Sequence, residues 1–213
     1  MTTPAVVGLV ITAGLIVVIR DWRLSLAALL GQYVLAGLLL TRLIQPQVAL
    51  TKVLIGALVC VVLYLTARFV SVGEEEPTSK QEETQDGSTI PAIVEGSLLT
   101  DFAFRLLAAL FVGLAVYGLS KRYPLPEVPA DIGLACYWLA SLGLLALMLT
   151  EEPLKAGMGL LTLITGFELF YSALERSLSV AGFLGIANFL IALAIAYLTG
   201  FSGTELTPGE RKK

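Results

Sequence analysis

Seven apolar segments, at about residues 4–19, 24–43, 48–68, 100–119, 131–150, 155–174 and 178–199, take up most of this chain. Each is close to the roughly 20 residues that a helix rising 1.5 Å per residue needs to cross about 30 Å of hydrocarbon. Polar breaks separate them, among them Arg20-Asp21-Trp22-Arg23, Gln45-Pro46-Gln47, Lys121-Arg122-Tyr123-Pro124, Glu151-Glu152-Pro153 and Glu175-Arg176-Ser177. In lipid the backbone has no water to bond, so such segments resolve into helices rather than open strands. The expected fold is all-α: a polytopic membrane protein of about seven transmembrane helices in contact with the lipid bilayer. With 56% hydrophobic and 15% charged residues, the chain is too apolar for a soluble domain of its length.

Charge placement predicts the orientation. Arg20, Arg23, Arg68, Lys80, Arg105, Lys155, Arg211, Lys212 and Lys213 fall on one side of the expected topology; Arg42, Lys52, Lys121, Arg122 and Arg176 fall on the other. The excess of positive charge inside puts the N-terminus outside and the C-terminus in the cytoplasm. The first segment has no basic leader, and Arg20-Asp21 follows it where a small-residue cleavage site would stand, so it reads as a retained helix. Between the third and fourth segments lies an acidic, polar stretch with almost no large apolar side chain, which cannot bury enough surface to fold alone. The expected organisation is a three-helix membrane unit (1–72), an acidic mobile cytoplasmic loop (73–98), a four-helix unit (99–203) and a polar, basic tail (204–213).

Several chemistries are excluded by what is missing. The chain has no histidine, and Cys60 and Cys136 sit far apart in different apolar runs. A metal centre, a haem or iron–sulfur cofactor and a His-based catalytic triad are therefore not expected. The net charge of −3 argues against nucleic acid as a partner. No positioned nucleophile and base is visible, so the chain reads as non-catalytic.

Glu168 is the exception inside the apolar runs. A charge at the bilayer centre costs roughly 2.5–3.5 kcal/mol even on the lenient insertion scale, so a retained carboxylate marks an ion path or a protein interior. At 3.6 residues per turn, Thr165, Glu168, Ser172 and Glu175 form one polar stripe, while Gly159, Thr162, Gly166 and Ala173 form a face of small residues for close helix packing. The next segment repeats the small-residue theme with Ala181, Gly185, Ala192 and Ala196 and carries Asn188 near its middle. Lys52 is the second intramembrane charge; its ammonium either snorkels to the outer interface or serves the site. Gln32 and Tyr33 offer further polar contacts inside the bundle. The proton- or cation-handling candidates are thus Glu168, Thr165, Ser172, Lys52 and Asn188. The alternative is a protonated Glu168 acting as structural glue.

The element Gly166-Phe167-Glu168-Leu169, closing one helix before a short turn and a small-residue helix, resembles the Gly-Ile-Glu-Leu element of the NuoK-like subunits of complex I and the MrpC subunits of cation/proton antiporters. The overall plan is more similar to the longer hydrogenase-4 component E (HyfE) type, on length, helix number, the stretch Thr51-Lys52-Val53-Leu54-Ile55 on to Ala67-Arg68, and the closing pair from Lys155 to Thr199. These regions cover about a third of the chain. Two departures stand out: the last helix offers Asn188 where NuoK-type subunits carry a second carboxylate, and Leu163-Ile164-Thr165-Gly166 replaces the Met-Glu-Asn-Gly element of the HyfE type.

The resemblance implies a small, non-catalytic subunit of a multi-subunit ion-translocating complex in a bacterial or archaeal cell membrane, with other membrane subunits as partners. Two other expectations stay open: a stand-alone secondary transporter, and a structural or assembly protein without transport.

Overall fold

Each apolar segment forms one helix, in the order α1 (Thr2–Val18), α2 (Trp22–Leu40), α3 (Pro46–Gly73), α4 (Ala92–Arg122), α5 (Ala130–Leu149), α6 (Pro153–Leu174) and α7 (Leu178–Glu205). The computed structural model describes residues 2–19, 21–42, 46–73, 92–125, 128–174 and 178–205. Proline marks several starts: Pro46 and Pro153 are the first residues of α3 and α6, where the missing N–H costs nothing. Pro129 caps α5, and its carbonyl accepts from Gly133 N at 2.9 Å.

Among the described residues, six helices are long and apolar enough to cross a membrane. The 17 residues of α1 reach only about 26 Å at 1.5 Å per residue, a little short of the hydrocarbon thickness. α3, α4 and α7 outrun their apolar segments, continuing into polar sequence. Residues 92–98, expected in the acidic loop, are therefore helical, and α4 starts at Ala92 directly after Pro91. The rest of that loop, Arg20, Glu175, Arg176 and the tail from residue 206 lie outside the described residues.

The helices pack in a circuit, α5 to α1, α1 to α2, α2 to α3, α3 to α7, α7 to α6 and α6 back to α5. α6 also reaches across to α2, and α4 stands outside the circuit against α5 and α1. The outer surface is apolar, with Leu54 71% and Phe183 72% exposed. The polar side chains are inside: Ser25, Gln32, Lys155, Thr162, Thr165, Glu168, Ser172, Asn188 and Thr199 are all buried. Apolar outside and polar inside is the distribution a bilayer selects, since lipid solvates the first and excludes the second.

The tightest seam joins α5 and α6. A methyl at Gly143 would stand 2.5 Å from Leu163 N and 2.8 Å from the Gly159 carbonyl. One at Gly166 would stand 2.9 Å from Ala140 N. Only glycine lets the two backbones come this close, and α6 is held by its small-residue face with its polar stripe turned toward α2, α3 and α7.

Candidate functional site

The short α2–α3 and α6–α7 connections bring the end of α2, the start of α3, the end of α6 and the start of α7 to one end of the bundle. Lys52 lies six residues into α3 and Glu168 six residues before the end of α6, so each sits about 9 Å below that end at 1.5 Å per residue. Their helices do not pack along each other; the two side chains close the gap. Lys52 Nζ donates to Glu168 Oε2 in a direct ion pair. The Glu168 side chain is 2% exposed and that of Lys52 17%.

The Lys52 ammonium is paired with a carboxylate of another helix. It is held inward by the carboxylate instead of reaching the interface, and Glu168 is half of a charge-neutral couple. A buried pair of this kind is poor evidence for stability, because apolar residues of similar volume are often neutral or better by about 1–4 kcal/mol.

One turn deeper, Tyr33 of α2 and Asn188 of α7 meet: Asn188 Nδ2 donates to the Tyr33 hydroxyl oxygen at 3.0 Å. Gly56 of α3 leaves the space that the Tyr33 ring fills. Thr165, fully buried, donates to the Leu161 carbonyl at 2.7 Å and faces this layer. Below it, Thr162 Oγ1 donates to the Met158 carbonyl at 2.9 Å and approaches Gln32 Oε1 at 3.4 Å. Thr162 thus belongs to the polar interior as well as to the packing face. Asn188 Oδ1 and Gln32 Nε2 are buried without a partner among the described residues.

A cavity of about 180 Å³ lies above the pair. Leu40, Gln47, Thr51, Lys52, Glu168, Ser172, Ala181, Gly185 and Asn188 are among its walls. Ser172 joins the site through this cavity, while Glu175 of the same expected stripe is outside the described residues. Gly185 meets Ile55 of α3, and Ala192 is fully buried further down α7. Gly159 and Gly166 lie on the α5 side of α6, away from the charges.

Among the described residues no group of three or more acidic or sulfur side chains could hold a metal ion. What the arrangement offers is a carboxylate, an ammonium, the hydroxyls of Tyr33, Thr51, Thr162, Thr165 and Ser172 and the amides of Gln32 and Asn188, a set suited to exchanging protons along hydrogen bonds. Gly143 is the residue that sequence reasoning passed over; its signal was the small-residue run Ala140, Gly143 and Ala146 facing the α6 glycines.

Truncating the hydroxyl tests the second layer. Tyr33→Phe leaves the Asn188 amide without its acceptor and is expected to cost about 0.6–2 kcal/mol, typical of a hydrogen bond between membrane helices. Thermal unfolding in detergent measures it; an unchanged midpoint would mean that Asn188 has another acceptor. Comparison of the chain with protein-family models, curated proteins and solved structures returns no match.

Proposed function

We propose that this polytopic membrane protein is a small subunit of a multi-subunit ion-translocating complex of the membrane-bound hydrogenase, complex I or Mrp type. In it the Lys52–Glu168 pair takes up and releases a proton. The observation that carries the reading is the ion pair itself, buried about 9 Å inside the bundle beside a cavity. The Gly166-Phe167-Glu168-Leu169 element supports the choice of assembly.

The chemistry needs no cofactor. A proton arriving at the Glu168 carboxylate converts it to the neutral acid and removes the attraction that holds Lys52. The Lys52 side chain, 17% exposed, then swings its ammonium toward the cavity on its flexible stem. Loss of the proton restores the carboxylate and recaptures the lysine. Protonation is thus coupled to a side-chain displacement that a neighbouring subunit can sense or drive. Redox chemistry belongs to partner subunits in this reading, and the chain has no catalytic centre of its own.

Purification from the native membrane in mild detergent tests the assembly. The expected result is co-migration with larger polytopic membrane proteins. A chain that runs alone and carries a solute flux in liposomes overturns the reading in favour of a stand-alone transporter.

A further inference from the structure

From the layering of side chains along the interior we infer that the Lys52–Glu168 site is watered from one face only. It forms a half-pathway that opens at the end of the bundle where α2 and α6 finish and α3 and α7 start, and is sealed toward the opposite face by a dry apolar layer. The inference rests on the proposed role of the pair in proton exchange and adds the face that supplies the proton.

The open side is built from exposed and polar groups. Gln47, Thr51 and Gly182 are exposed and line the cavity, which continues past Ser172 to Lys52, Glu168 and Asn188. At a share of about 30 Å³ per water, its 180 Å³ has room for several molecules. They would find donors and acceptors at each step, including the partnerless Asn188 Oδ1 of a side chain only 2% exposed.

The sealed side follows from the same helices read further along. On α3 the inward stripe passes from Lys52 through Gly56 to Val59 and Leu63; on α7 it passes from Asn188 to Ala192 and Ile195. On α6 it passes from Glu168 and Thr165 to Leu161 and Met158, and α2 contributes Leu29 and Leu26. These residues form one cluster in which Leu29, Val59, Leu63, Met158, Leu161 and Ala192 are completely buried. Beyond the layer polar side chains resume with Ser25 on α2, Thr199 on α7 and Lys155 on α6, whose Nζ lies 3.3 Å from Glu152. Thr162 and Lys155 stand seven positions apart, about 10 Å of helix without a hydrogen-bonding side chain between them on α6. An apolar layer of this kind stays dry because water entering it finds no partner. The onward route for a proton is consequently a partner subunit or a rearrangement of this layer.

The test reads water access and does not depend on transport. Single cysteines are placed in the assembled complex after Cys60→Ala and Cys136→Ala. Thr51→Cys and Ser172→Cys report the cavity; Ala192→Cys and Met158→Cys report the seal, the first being a small change that the fold can absorb. A membrane-impermeant thiosulfonate is applied to vesicles of each orientation. The expected result is labelling at 51 and 172 from one face alone, and none at 192 or 158 from either. Labelling at 192 or 158, or labelling of 172 from neither face or from both, overturns the half-pathway. Unchanged proton movement in Glu168→Gln would instead remove the proposed function and leave the access pattern standing.

Discussion

Glu168→Gln is expected to stop proton movement through the assembled complex and to destabilise this subunit in the same stroke. The amide cannot take up and release a proton, and it leaves the Lys52 ammonium without a counter-charge in the interior. Breaking a buried pair from one side costs about 3–5 kcal/mol, and the partial exposure of Lys52 places the loss at the lower end. The informative comparison is the double variant Lys52→Met/Glu168→Leu. With both charges gone the bundle is expected to melt at or above the parent temperature, since an apolar replacement of a buried pair is neutral or favourable by about 1–4 kcal/mol. Proton movement is expected to stay at zero. Thermal unfolding in detergent and proton flux in reconstituted liposomes read the two quantities separately. A stable double variant that still conducts would end the proton role of the pair, and an unstable one would make the pair a structural element.

Gly143→Ala should be the most damaging alanine substitution among the described glycines. Its Cβ would be driven against Leu163 N and the Gly159 carbonyl, which are backbone atoms that no rotamer change can move aside. The two helices must separate, for a cost of about 1–3 kcal/mol, and Gly143→Leu is expected to prevent folding. Gly14→Ala is the control: nothing lies within 4 Å of its added methyl, and removing a helical glycine there is expected to stabilise by about 0.5–1 kcal/mol. Melting temperatures ordered Gly14→Ala, parent, Gly143→Ala are the predicted outcome. A parent-like Gly143→Ala would show that the α5–α6 seam is looser than its geometry states.

Much of the architecture was legible before any coordinates, because apolar run length alone sets helix number in a membrane. Helix ends were less so. The expected loop hid the first turns of α4, where Ala92, Ile93 and Val94 follow a proline yet precede polar residues that lowered the local apolarity. The site was half visible. Glu168 and Lys52 each stand out as a charge in an apolar run, but they are 116 residues apart, and periodicity within one helix says nothing about which helix it faces. Thr162 was assigned to packing because the two faces of α6 adjoin, and a threonine between them serves both. Gly143 escaped for a related reason: a small residue reveals its importance only when the opposing backbone is known.

The distance of 116 residues between Lys52 and Glu168 is also an interval of time. At a synthesis rate of about 5–20 residues per second, Lys52 is made roughly 6–23 seconds before the ribosome reaches the carboxylate that will neutralise it. Throughout that interval the nascent chain carries an unmatched ammonium, and its long stem can keep the charge at the headgroup level. Interface-seeking and pairing are thus successive states of the same lysine. The arrival of α6 and α7 draws Lys52 inward, so the last quarter of the chain to be made is what turns an ordinary membrane hairpin into a charged site.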